Sequence, residues 1–136
     1  MRHFVKSILT HFVPKRQMQV LRHLLRGEEG EFFRERLAEL ALVVERMPVV
    51  YGQEGLGDKA LVHLHYFSPG GDWWITERDT TDEQYQAFGL ADLGYAELGY
   101  IPIIELLDIP SVEIDLHWQP KPLREVQAAR AALAGR

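Results

Sequence analysis

His63-Leu64-His65-Tyr66-Phe67-Ser68-Pro69-Gly70-Gly71-Asp72-Trp73-Trp74-Ile75-Thr76-Glu77-Arg78-Asp79 is the stretch from which the rest of the chain can be read. Leu61 to Phe67 and Trp73 to Arg78 are rich in aromatic and β-branched residues, and Ser68 to Asp72 breaks between them. Pro69 fixes one φ and the two glycines free the next, so the chain can reverse there. The pattern predicts a β-hairpin. Adjacent Trp73 and Trp74 must then face opposite sides of the second strand.

Working towards the N-terminus, Met47-Pro48 closes a predicted helix from about Glu29 to Met47. Phe33, Leu37, Leu40, Val44 and Met47 form its apolar stripe. A second helix should open at Pro14 and bury Met18, Leu21, Leu24 and Leu25, with Gly27 ending it in a left-handed conformation. Residues 3–12 carry apolar residues at helical spacing and suggest a further short helix. Between helices and hairpin, Gly52 to Asp58 reads as a mobile loop. It lacks the Gly-Lys-Ser/Thr ending of a phosphate loop.

Towards the C-terminus, Tyr85 to Leu90 suggests a third strand, with Gly94 and Gly99 serving turns around Ala96-Glu97. Ile101 to Leu107 favours a short helix. Val112 to Trp118 alternates without a fault and predicts a half-buried strand. A last helix should run from Lys121 to about Leu133, with Leu123, Val126, Ala129 and Leu133 inward. Together these elements predict an α+β fold: N-terminal helices over residues 1–47 and a body over 48–136, forming one compact domain. The body holds a mostly antiparallel sheet of about four strands and a C-terminal helix.

The chain has 136 residues, 46% of them hydrophobic and 26% charged, as in ordinary globular proteins. It has no cysteine, which excludes disulfides and thiolate chemistry and fits a cytoplasmic protein. Its opening residues resemble no secretory signal. No apolar run approaches the roughly 18 residues of a membrane span. The net charge of −5 conceals a division. Residues 1–26 carry six Lys/Arg and no acid, whereas the remaining 110 carry nine bases and twenty acids, so the charge divides into +6 and −11. Lys15, Arg22 and Arg26 share one predicted helix face, with Arg16 and His23 beside them. These five form a candidate site for nucleic acid or an acidic partner. Alternatively, the basic helices dock on the acidic body of the same chain.

Six blocks in register carry a resemblance: Met47-Pro48-Val49-Val50-Tyr51, Leu64-His65-Tyr66-Phe67, Asp72 to Glu77, Gln86 to Leu90, Glu97-Leu98-Gly99-Tyr100, and Asp115-Leu116-His117-Trp118 with Pro120-Lys121. Over about residues 47–126 the chain resembles the short bacterial proteins grouped as "domain of unknown function 2958". The resemblance implies an α+β fold and a plasmid or integrative-element setting, and carries over no catalytic residue. On that footing the expected role is that of a non-enzymatic accessory protein of a mobile element, acting by binding a protein partner. The partner would be a host-defence complex, as for an anti-CRISPR or anti-restriction inhibitor, or the element's own replication and transfer machinery.

Two further candidate sites come from the residues themselves. Tyr66, Trp73, Trp74 and Tyr100 offer an aromatic surface that could anchor a protein or stack bases. His63, His65, Asp115 and His117 could converge on a divalent metal ion if their strand faces coincide, with Glu77 as a base. That arrangement would make the chain a metal-dependent enzyme. The bland reading is a solvated polar sheet face. With no nucleophile elbow, His-Glu-x-x-His helix or dinucleotide turn, no cofactor is expected and enzyme is the lesser reading.

Overall fold

The computed structural model describes residues 8–49, 53, 55–79 and 86–134. Two helices lead, α1 (Lys15–Leu24) and α2 (Gly30–Arg46), followed by a single 3-10 turn at Gly57–Lys59. The strands are β1 (Leu61–Val62), β2 (Leu64–Ser68), β3 (Gly71–Asp79), β4 (Gln86–Asp92) and β5 (Ala96–Pro102). After α3 (Ile103–Leu107) come β6 (Glu113–Ile114), β7 (Lys121–Pro122) and α4 (Leu123–Ala134). The main sheet is antiparallel in the order β5-β4-β3-β2-β6, and β1 pairs with β7 beside it. The fold is therefore α+β, with one strand more in the main sheet than the sequence suggests.

The hairpin forms as expected but turns more tightly. Ser68 faces Gly71, leaving only Pro69 and Gly70 between the strands. Alternation then sorts the two tryptophans. Trp73 joins Leu64, Tyr66, Ile75, Ala87, Ile101 and Ile114 on one face, under Met18 and Leu21 of α1 and Leu37, Leu40, Ala41 and Val44 of α2. Trp74 joins Val62 and Leu90 on the other face, under Leu123 and Val126 of α4. N-terminal helices and sheet thus share one large core, and α4 closes a smaller one behind it.

The tight packing has local causes. A bulge in β3 between Ile75 and Glu77 shifts the register against β4, and Gly89 lies opposite it. A Cβ on Gly89 would stand 2.0 Å from the Trp74 carbonyl oxygen, so only glycine fits. The turn between α1 and α2 depends on Gly30, whose Cβ would come within 2.3 Å of the Leu25 carbonyl oxygen. Gly27, expected to be left-handed, is not among the glycines with positive φ. The glycine that the connection requires is three residues further on.

Other expectations are also corrected. Val112 to Trp118 forms a strand only at Glu113–Ile114. Asp115 Oδ1 then accepts the His117 N–H at 2.9 Å, a local turn that takes the chain out of the sheet. Gly94 does lie in a turn, with φ 130°, but Gly99 is the middle of β5. Ala129 and Leu133 face solvent, Leu133 at 67% exposure, so only the first turns of α4 are buried. Half of the helix predicted at 3–12, residues 3–7, lies outside the described residues, as does Gly52 of the glycine loop; of the other half, Ile8 and Leu9 are helical. Leu9 and Phe12 are buried in the large core.

Candidate binding surface

Helix α1 carries no acidic side chain. Its Met18 and Leu21 point into the core, while Lys15, Arg16, Arg22 and His23 face solvent, joined by Arg26 in the turn beyond. Among the described residues no carboxylate forms an ion pair with any of these cations. Among the described residues, then, these five cations do not dock on the body through ion pairs. The helix docks through apolar contacts and through Gln17, whose amide donates to the Ile114 carbonyl at 2.9 Å and accepts the Ile114 N–H at 2.8 Å. That pair of bonds occupies the outer edge of β6 as a neighbouring strand would.

Beside α1 run two cavities that meet at Arg16, Pro110 and Val112. One, of about 360 Å³, lies over Val20, Leu21, Leu24, Phe33 and Leu116. The other, of about 670 Å³, lies between His11, Lys15 and Arg16 on one wall and Ile104, Leu107 and Ile109 on the other. Asp108 and Glu113 stand on the wall opposite α1. The groove is thus apolar along much of its lining, basic along the helix and acidic at two points across from it. Val20 and Ile104 remain more than half exposed beside it.

The predicted aromatic surface is not assembled. Tyr66, Trp73 and Trp74 are buried, and only Tyr100 lies at the surface. Two of them belong to the large core and Trp74 to the smaller, because α4 covers the sheet face that the sequence leaves undecided. Burial pushes the Tyr66 phenol far above its ordinary range, so it serves as a neutral donor to the Phe12 carbonyl at 2.5 Å.

The four predicted metal ligands are not brought together either. His65 and Asp115 meet, with 3.2 Å from Nδ1 to Oδ2, but the other ring nitrogen lies 2.8 Å from Asp72 Oδ1. The carboxylates therefore hold opposite sides of one imidazole, whose ring stacks on Trp74 at 5.4 Å and 8°. A neutral ring donates to one carboxylate, and only imidazolium donates to both. His117 is exposed, its ring 6.4 Å from that of Phe32. His63 occupies the one-residue break between β1 and β2, against a cavity of about 50 Å³ shared with Arg36, Glu39 and Asp115. That space is large enough for no more than a few waters. Burial lowers the His63 pKa from its ordinary value. Among the described residues no three His, Asp or Glu side chains form a metal-binding group.

Glu77 is buried and accepts the Gln53 N–H at 3.1 Å. Gln53 in turn bonds Leu61 and the Thr76 carbonyl, so this carboxylate pins the loop to the sheet. Sequence reasoning missed the groove walls formed by Ile104 to Val112. Their exposed apolar residues look like core when read without their neighbours.

Comparison with known proteins bears on what this surface belongs to. Residues 36–135 match the model of the family described as protein of unknown function DUF2958. The chain belongs to the DUF2958 family. No curated protein and no solved structure matches it. The DUF2958 match takes in most of α2, the sheet and α4, whereas α1 and the basic wall of the groove precede it. Among the described residues no helix is long and apolar enough to cross a membrane.

Proposed function

We propose that this chain is a non-enzymatic accessory protein of a mobile element that acts by binding a protein partner through the groove beside α1. The supporting observation is the groove itself, an apolar cleft rimmed by Lys15 and Arg16, with which no described carboxylate forms an ion pair. Such a cleft suits a protein segment with apolar anchors and acids on the α1 side. Host-defence complexes and the element's own replication or transfer machinery are the partner classes that fit the family setting. The test is affinity capture from the host with Val20→Glu and Arg16→Glu beside the native chain. A partner that both variants lose, with cross-links mapping to Val20 or Ile109, supports the reading. No specific partner, or one held equally by both variants, overturns it.

The second reading, nucleic-acid binding, is favoured by the exposed row Lys15, Arg16, Arg22, His23 and Arg26. Phosphate contacts release counterions, so affinity should fall steeply with salt. Asp108 and Glu113 across the groove weigh against it. Gel shifts at low salt decide, since DNA or RNA binding abolished by Lys15→Glu with Arg22→Glu would replace the protein-partner reading.

A further inference from the structure

The two edges of the main sheet are treated differently. At one edge Gln17 occupies the β6 backbone. At the other, β5 presents seven residues whose outer side no described strand pairs. Natural edges are blunted by shortness, lysines, prolines or a covering element. β5 has no lysine, its Pro102 stands only at its end, and Leu98 is 50% and Tyr100 51% exposed. Leu98 continues the row of Trp74 and Leu90 across the sheet, but it lies past the cover that α4 gives them.

We propose that β5 is a homodimer interface, pairing antiparallel with β5 of a second copy about a two-fold axis through Gly99. Several features select a second copy as occupant. Gly99 is the midpoint of Ala96–Pro102, so this register alone overlaps all seven residues. It sets Leu98 against Tyr100 of the other copy and Glu97 against Ile101, and no like charges face each other. Gly99 has nothing within 4 Å of where a Cβ would stand, so a side chain introduced there has room. The exposed apolar residues beside β5 fall in the same interface under this axis. Leu93 and Tyr95, which precede the strand, are both more than half exposed. The two-fold brings the turn of one copy beside the start of α3 of the other. Tyr95 and Tyr100, 76% and 51% exposed, join Leu93, Leu98 and the strand edge in one apolar patch that the two-fold sets against itself. No residue of β5 or of the turn before it lines the α1 groove, so this inference stands independently of the proposed function.

The chain has no cysteine, so one introduced thiol reports a single contact. Facing residues of an antiparallel pair stand about 4.5–5.5 Å apart at Cα, within disulfide reach. Gly99→Cys should therefore couple two copies under mild oxidation. Ala96→Cys should not, because the two-fold leaves the two Ala96 positions about 20 Å apart at the strand rise of roughly 3.4 Å per residue. Light scattering should show a dimer for the native chain and a shift towards monomer for Leu98→Lys, with the circular dichroism of the native fold retained. A native chain that stays monomeric at its highest soluble concentration overturns the inference. So does coupling through Ala96→Cys but not Gly99→Cys, a result that also decides the matter if Leu98→Lys fails to fold.

Discussion

Single side chains already carry opposite instructions in this molecule. Tyr66 is fully buried with its hydroxyl on the Phe12 carbonyl, so Tyr66→Phe keeps the ring packing and removes one bond. Urea unfolding should show a loss of about 1 kcal/mol; an unchanged midpoint would mean the bond contributes nothing net. His63 works through protonation. Burial lowers its pKa in the folded chain, so the folded state binds fewer protons than the unfolded one. Its stability is therefore complete above the ordinary imidazole value near 6.5 and declines as pH falls below it. Unfolding midpoints at pH 7.5, 6 and 5 should fall for the native chain and fall less for His63→Gln. Equal slopes would show that His63 is not the group responsible. Such residues were legible as types and not as roles. Trp73 and Trp74 had to face opposite ways, yet whether both would be covered depended on a helix fifty residues further on.

Among the elements, legibility followed how much of the burial was local. The hairpin announced itself because Pro69 and Gly70 force the reversal whatever lies around them. Val112 to Trp118 misled because its alternation has two sources. Val112 and Ile114 enter the large core, while Trp118 turns under α4 with its indole N–H on the Val62 carbonyl at 3.0 Å. A chain passing from one sheet face to the other can imitate a strand, and only the Asp115 turn betrays it. β5 was misread for the converse reason, since Gly99 looks like a turn residue but stands where the strand's neighbours leave space open. Gly89 and Gly99 therefore respond differently to the same change. Gly89→Ala drives a Cβ into the backbone of Trp74 and Ile75 and should cost at least the upper part of about 1–3 kcal/mol. Gly99→Ala meets open space and should cost far less. Thermal unfolding of the two variants side by side checks this, and similar losses would show that the close approach at the bulge can relax.

For the whole molecule, the sheet separates cores of unequal size, and stability should follow that division. The large core is shared by α1, α2, α3 and both halves of the hairpin, whereas α4 contributes only Leu123 and Val126 to the smaller one. What holds α4 further along is Arg130. Its guanidinium bonds Asp92 Oδ2 at 3.2 and 2.5 Å and lies 5.6 Å from the Trp74 ring. The Arg130 hydrogen bond, helped by the Gly94 N–H, holds the Asp92 carboxyl below its ordinary range. An ion pair of this partly exposed kind adds little to global stability. It can still decide whether a thinly packed helix stays seated, because local opening needs only the local contacts to break. Amide exchange should accordingly be faster in α4 than in α2. Arg130→Gln should speed exchange across α4 while the amides of α2 and β3 keep their protection and the melting temperature moves little. Equal protection of α2 and α4 in the native chain, or loss of protection throughout the sheet in Arg130→Gln, would mean that the two cores open as one.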